Sequence, residues 1–312
     1  MALVRTIPFF FMLYLWSTST AQPLRFAMPL KGTQGHDFFI DNYVDHDTTK
    51  GIRDGFCGTK TYDGHNGADM LIRSFKTMDS GVYVYAAADG IVIKTHDGEY
   101  DRNKRWIKGL PANRIGILHK DGFVSYYLHL MKNSLMVKMG DSVKAGQPIG
   151  KVGSSGFSSA PHLHFEVRDS DDHVVDPFAG PCNERESMWL NQPAYDTAQY
   201  VIEQGFAPYR RNYDSLSEHY LVRDTFYIGQ DTTIEFWVFT HGRMKGKTAR
   251  AEWYKPSGHI YRKYDFVMPD ERWHTHIWPW INMPVITGRW RVRLFINDEF
   301  VTEGHFYVLP KR

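Results

Sequence analysis

Short runs of alternating apolar and polar residues recur along this chain, each closed by a glycine-containing turn. "VYVYAAADGIVIKT", "RIGILHKDGFVSYYLHL", "SVKAGQPIGKVG" and "HLHFEVRD" follow one another between Val82 and Asp169. A period of two puts every second side chain on one face of a strand, and Asp-Gly between two such runs signals a hairpin. Helical periodicity is nearly absent. The chain therefore reads as all-β, with an antiparallel, barrel-like domain first. From about Tyr213 the pattern resumes in "TTIEFWVFTHG", "ARAEWYKPSG", "GRWRVRLFIND" and "EFVTEGHFYVL", which predict a C-terminal β-sandwich of immunoglobulin type. Aromatic residues make up 15% of the chain, a bias that suits strands.

A length of 312 residues suits two domains. Residues 1–21 have the layout of a secretory signal peptide: Arg5, an apolar core from Ile7 to Trp16, then small residues ending at Ala21. That core is too short to span a bilayer comfortably, so cleavage rather than a stable membrane anchor is expected. Residues 22–185 form the first domain and 186–212 a connector, with a short helix expected over Tyr195–Gln204 ahead of Gly205 and Pro208. Residues 213–312 form the sandwich, expected to fold independently and to position the protein on a polymer or partner. A formal net charge of +2 gives no electrostatic case for nucleic acid. Export makes a disulfide the favoured state of Cys57 and Cys182, the only two cysteines. The segment Asp97–Asn113 reads as a long loop, a place where function concentrates.

The chemistry lies in the first domain. "SAPHLHFEVR" places His162 and His164 on one face of a strand, since residues i and i+2 point the same way. "YDGHNGADM" offers His65 and Asp69, and "SYYLHL" ends on His129. Each fragment alone has an ordinary reading: a turn histidine, a capping aspartate, a packed strand histidine. Together they supply imidazoles and one carboxylate, the donors that a catalytic zinc site takes while keeping one position open. Two histidines would be left beside the metal for acid–base work. Spacing does not say which histidines ligate.

"GHNGADM", "YYLHL" and "GSSGFSSAPHLHFEVRD" resemble, in order, the motifs of the lysostaphin/LytM-type zinc metallopeptidases, and the likeness extends over roughly residues 55–178. The resemblance implies a zinc-dependent endopeptidase acting on peptide crosslinks of bacterial peptidoglycan, in the periplasm, outside the cell or at the wall. It implies His65, Asp69 and His164 as the Zn2+ ligands, and His129 and His162 as the non-ligand catalytic pair. His119, in "ILHKDG", falls on a common family position and is expected to be structural. Met70 stands where Ile or Leu is more usual. Two alternatives belong to other classes: a non-hydrolytic module that binds wall polymer or activates a hydrolase, and a secreted protease acting on a non-wall protein. "VKMGDSVKAGQPIGKVGS" also resembles a biotinyl or lipoyl carrier hairpin, but Lys138 and Lys144 do not sit in the carrier's setting. "ERWHTHIWPW", residues 271–280, reads as sandwich core with one edge strand, and no second metal is expected at His274 and His276.

Overall fold

A computed structural model describes residues 23–209, 212–218, 222–269 and 272–311; the expected signal peptide lies outside the described residues. Ten strands build the first unit: β1 (Phe38–Asn42), β2 (Ala68–Ile72), β3 (Tyr83–Tyr85), β4 (Gly90–His96), β5 (Arg114–Leu118), β6 (Val124–Leu128), β7 (Ser142–Val143), β8 (Pro148–Lys151), β9 (His162–Arg168) and β10 (Val174–Val175). Eight of them form one sheet in the order β1-β2-β9-β6-β5-β4-β7, with β10 added beside β9, while β3 pairs with β8. All of these pairings are antiparallel.

The alternation that predicts strands also sorts the two faces of this sheet. Leu163, Phe165 and Val167 of β9 are fully buried and join Met70 of β2, Tyr127 of β6 and Ile115 and Ile117 of β5 in one apolar core. His162, His164, Glu166 and Arg168 alternate with them and therefore line the other face. Helix is confined, among the described residues, to Phe75–Asp79, Tyr213–Leu216 and a 3-10 turn at Lys120–Gly122, and no helix is long and apolar enough to cross a membrane.

The second unit has nine strands: β11 (Tyr200–Ala207), β12 (Thr225–Tyr227), β13 (Thr233–His241), β14 (Thr248–Tyr254), β15 (Ile260–Val267), β16 (His274–Ile277), β17 (Trp280–Asn282), β18 (Gly288–Ile296) and β19 (Glu299–Leu309). One sheet runs β11-β13-β16 with β17 on β13, and the other runs β12-β19-β18-β14-β15. They share a core in which Phe206, Phe236 and Val238 meet Trp253, Trp290 and Phe306. The helix expected over Tyr195–Gln204 is not formed. Tyr200–Ala207 is instead a strand paired along β13, because its β-branched and aromatic residues gain more from that pairing than from an isolated turn of helix. The connector thus supplies a strand to the C-terminal sheet.

The two units meet at the site face of β1 and β2. Phe39 and Leu71 pack with Ile202, Trp237 and Phe239 of the C-terminal unit. Beside them the fully buried Lys60 donates to the Asp196 carbonyl at 2.6 Å and lies 3.1 Å from His241 Nε2. Cys57 and Cys182 form a disulfide that closes a separation of 125 residues around the first unit.

Candidate metal centre and groove

Sheet register brings the candidate residues together. Asp69 on β2 sits directly opposite His164 on β9, and Leu128, the last residue of β6, pairs with His164 from the other side. His129 follows immediately, with a φ of +64°. This left-handed backbone is uncommon for a residue with a side chain and is found where surrounding structure enforces it, often at functional sites. It ends the strand and sends the imidazole over the sheet toward His162, with ring centroids 4.5 Å apart. His65 comes from the turn before β2. Gly67 makes that approach possible, because a Cβ there would lie 2.6 Å from the Phe165 carbonyl oxygen and 2.8 Å from His164 Nε2.

Three atoms converge. His164 Nδ1 is 2.9 Å from Asp69 Oδ1, and His65 Nε2 is 3.2 Å from both. The opposite side of each group is committed elsewhere. His65 Nδ1 lies 2.7 Å from the Tyr43 carbonyl, to which it donates, so Nε2 carries a bare lone pair. His164 Nε2 faces Glu166 Oε2 at 3.3 Å, which leaves Nδ1 as the converging atom. Asp69 Oδ2 accepts from Asn42 Nδ2 at 2.9 Å. Three electron-rich atoms at such distances repel unless a proton or a cation lies among them. Two imidazole nitrogens and a carboxylate oxygen, each oriented by an outer partner, are the donor chemistry of a zinc site, and the residues present fit a metal ion.

His129 and His162 stand beside this set with the same internal logic. His129 Nδ1 donates to the Ser155 carbonyl at 2.7 Å, and His162 Nδ1 to the Ala160 carbonyl at 2.8 Å. Their Nε2 atoms therefore carry the lone pairs, and that of His162 is 3.6 Å from Asp69 Oδ1. Burial lowers the pKa of His129 well below the ordinary histidine value, aided by the charges of His162 and His164. Burial lowers that of His162 too, partly countered by Asp69. Burial alone would lower His164, but the hydrogen bonds its ring donates to Asp69 and Glu166 outweigh it and push its pKa up to about 9. Burial alone would raise Asp69, yet the charges of His65 and His162 and the hydrogen bonds of His164 and His65 hold it well below the carboxylate range.

Glu166 is a site residue that the sequence reading passed over. It bridges His164 to Arg168, whose Nε donates to Glu166 Oε1 at 2.5 Å. The available signal was its i+2 place on the same strand face. His119 is buried between the Asp89 carbonyl, at 2.8 Å, and Ser125 Oγ, at 2.7 Å, away from the centre.

The centre opens into a groove of about 410 Å³ lined by Asp69, His162, Tyr62, Trp106, Phe157 and residues of the second unit. Trp106, from the long Asp97–Asn113 loop, faces Phe157 with centroids 6.5 Å apart. Arg243, Arg272, Trp273 and His274 also line the groove, so it draws on both units.

Residues 63–177 match the model of peptidase family M23, and the chain carries that peptidase domain. The chain is 35% identical over 109 residues to the peptidoglycan DD-endopeptidase ShyA of Vibrio cholerae, covering 35% of this chain and 21% of that protein. It is 38% identical over 135 residues to lysostaphin of Staphylococcus simulans, covering 43% of this chain and 23% of that protein. The solved catalytic domain of lysostaphin from the same organism aligns at 28% identity with a TM-score of 0.30, over 46% of this chain and 90% of that one. The likeness to these curated relatives spans about a quarter of their length or less.

Proposed function

We propose that this chain, with its family M23 domain, is an exported zinc metalloendopeptidase that hydrolyses peptide crosslinks of bacterial peptidoglycan. The observation that carries the reading is the pairing of two sets. Three oriented donor atoms, on His65, Asp69 and His164, converge for a metal. Two further imidazoles, on His129 and His162, face the same point with unprotonated Nε2 atoms. His65 Nε2, Asp69 Oδ1 and His164 Nδ1 would hold the ion, and Glu166, Tyr43 and Asn42 would fix their orientation. A zinc ion there supplies Lewis-acid activation of water and of a peptide carbonyl.

The remaining chemistry is proton movement. Peptide hydrolysis needs a proton taken from water and a proton given to the leaving amine. His129 and His162 are neutral near pH 7 because burial disfavours their charged forms. Each is thus ready to accept a proton at Nε2, and once protonated it can donate to a developing oxyanion or to the amine. The name of one relative, a peptidoglycan DD-endopeptidase, supports the choice of a wall peptide as substrate. The signal-like residues 1–21 and the disulfide support a location outside the cytoplasm.

The test is mass spectrometry of fragments released from purified sacculi by the full chain, with and without a chelator. Crosslinked fragments should be converted to uncrosslinked ones with water added, and the chelator should stop this. Zinc-loaded protein that binds sacculi without altering them would instead indicate a non-hydrolytic wall module.

A further inference from the structure

The metal-side wall of the groove belongs to the family M23 domain; the facing wall does not. That wall is built from the loop after β13 and from the start of β16, and it is fixed rather than loosely tethered. Arg243 Nη1 donates to Thr59 Oγ1 at 3.1 Å across the boundary between the units. His274 Nδ1 is hydrogen-bonded to Asp41 Oδ2, and both residues are buried. Trp273 lies against the Lys60 ammonium, 5.0 Å from the ring centroid. The register of β1 against β2 shifts between Ile40 and Asn42, which leaves Asp41 as an extra residue. Such a bulge re-aims side chains. Here Asp41 and Asn42 both line the groove, one reaching His274 and the other the ligand Asp69. The second unit is thus joined to the strand that supports the metal ligand.

The charges on this wall differ from those around the metal. Arg243 and Arg272 line the same groove as Asp69 and His162. Arg243 is exposed, with Thr59 Oγ1 as its hydrogen-bond partner, so its guanidinium reaches the groove while anchored at one nitrogen. Of the acidic lining residues, Asp41 is engaged by His274 and Asp69 by the histidines, which leaves Asp63 at the exposed rim. A planar guanidinium with donors to give is the group best matched to a carboxylate.

We infer that the C-terminal unit forms a specificity wall of the groove, on which Arg243 binds a free carboxylate of the peptide substrate beside the scissile bond. This rests on the endopeptidase reading and adds the substrate class: anionic peptides in place of neutral ones. Arg243 is a positioning residue here, and it takes no part in the proton transfers.

The experiment uses the full chain and two series of synthetic peptides. The series are identical except that a free carboxylate or a carboxamide stands at each position flanking the cleaved bond in turn. At one position the wild type should favour the carboxylate by roughly 10–100-fold in kcat/KM, the range of one charge-assisted hydrogen bond. Arg243→Gln should bring that ratio close to one through KM rather than kcat, with the bound zinc retained. Arg243→Lys, which keeps the charge but not the fork, should fall between. A wild-type ratio near one at every position, or an Arg243→Gln ratio equal to wild type, would overturn the inference while leaving the endopeptidase reading standing. Failure of the wild type to cut any peptide in either series would overturn both.

Discussion

Asp69 and His164 are cross-strand partners on β2 and β9, and their converging atoms, Oδ1 and Nδ1, lie 2.9 Å apart. The two residues are separated by 95 positions in sequence. Antiparallel register alone puts them face to face, and directly opposed side chains in such a pair are close enough to share one ion.

His129→Ala and His162→Ala should each keep the metal and lose turnover by ~10²–10⁴-fold, the range for an acid–base or oxyanion group. Metal analysis together with kcat on a soluble crosslinked peptide checks this. Near-normal kcat in either variant would remove that imidazole from the reaction.

Glu166→Gln should weaken zinc binding by ~10–100-fold without unfolding the chain, because Glu166 holds His164 Nε2 and so presents Nδ1 to the metal. Competition with a chelator of known affinity measures it. Unchanged affinity would mean that packing alone orients His164.

The pH dependence of the metal-free chain follows from two opposed shifts. His164 is raised to about 9 from 6.5, so its contribution is complete below 6.5 and is lost as pH rises toward 9. His129 and His162 are lowered from 6.5, so their contribution is complete above 6.5 and is lost as pH falls through their folded values. Thermal midpoints of chelated protein between pH 5 and 8 should therefore peak near 6.5, the ordinary histidine value. Zinc binding must also displace the His164 proton, so calorimetry near neutral pH should record proton release. A steady rise in midpoint across the range would contradict the assignment.

Disruption of the disulfide by Cys57→Ser with Cys182→Ser should lower stability by up to roughly 4–5 kcal/mol in the chain-entropy account, since the closed loop is long. Denaturant titration of the oxidised wild type and the double variant measures the difference. A loss below about 1 kcal/mol would show that the denatured chain is already compact around this loop.

Much of this was legible in the sequence, for identifiable reasons. Alternation in "HLHFEVR" gave both the strand and its two faces, because a period of two maps directly onto a sheet. His65, Asp69, His129, His162 and His164 stood out through short motifs whose residues are brought together by neighbouring strands. What escaped was set by long-range packing. Tyr200–Ala207 reads ambiguously alone and becomes a strand only against β13. Asp41 and His274 are separated by 233 residues, and no local pattern announces their contact. Arg243 and Trp273 look like ordinary sandwich residues until the two units are placed together at the groove.

The central claim is that His65, Asp69 and His164 hold a zinc ion while His129 and His162 stand beside it. Zinc content of the purified wild type, His65→Ala, Asp69→Ala, His164→Ala, His129→Ala and His162→Ala, measured after equal exposure to zinc and desalting, tests it most directly. The account predicts stoichiometric zinc in the wild type and in the His129 and His162 variants, and loss of zinc in the other three. Stoichiometric zinc retained by a folded His65, Asp69 or His164 variant, or a wild type that takes up none, would contradict it.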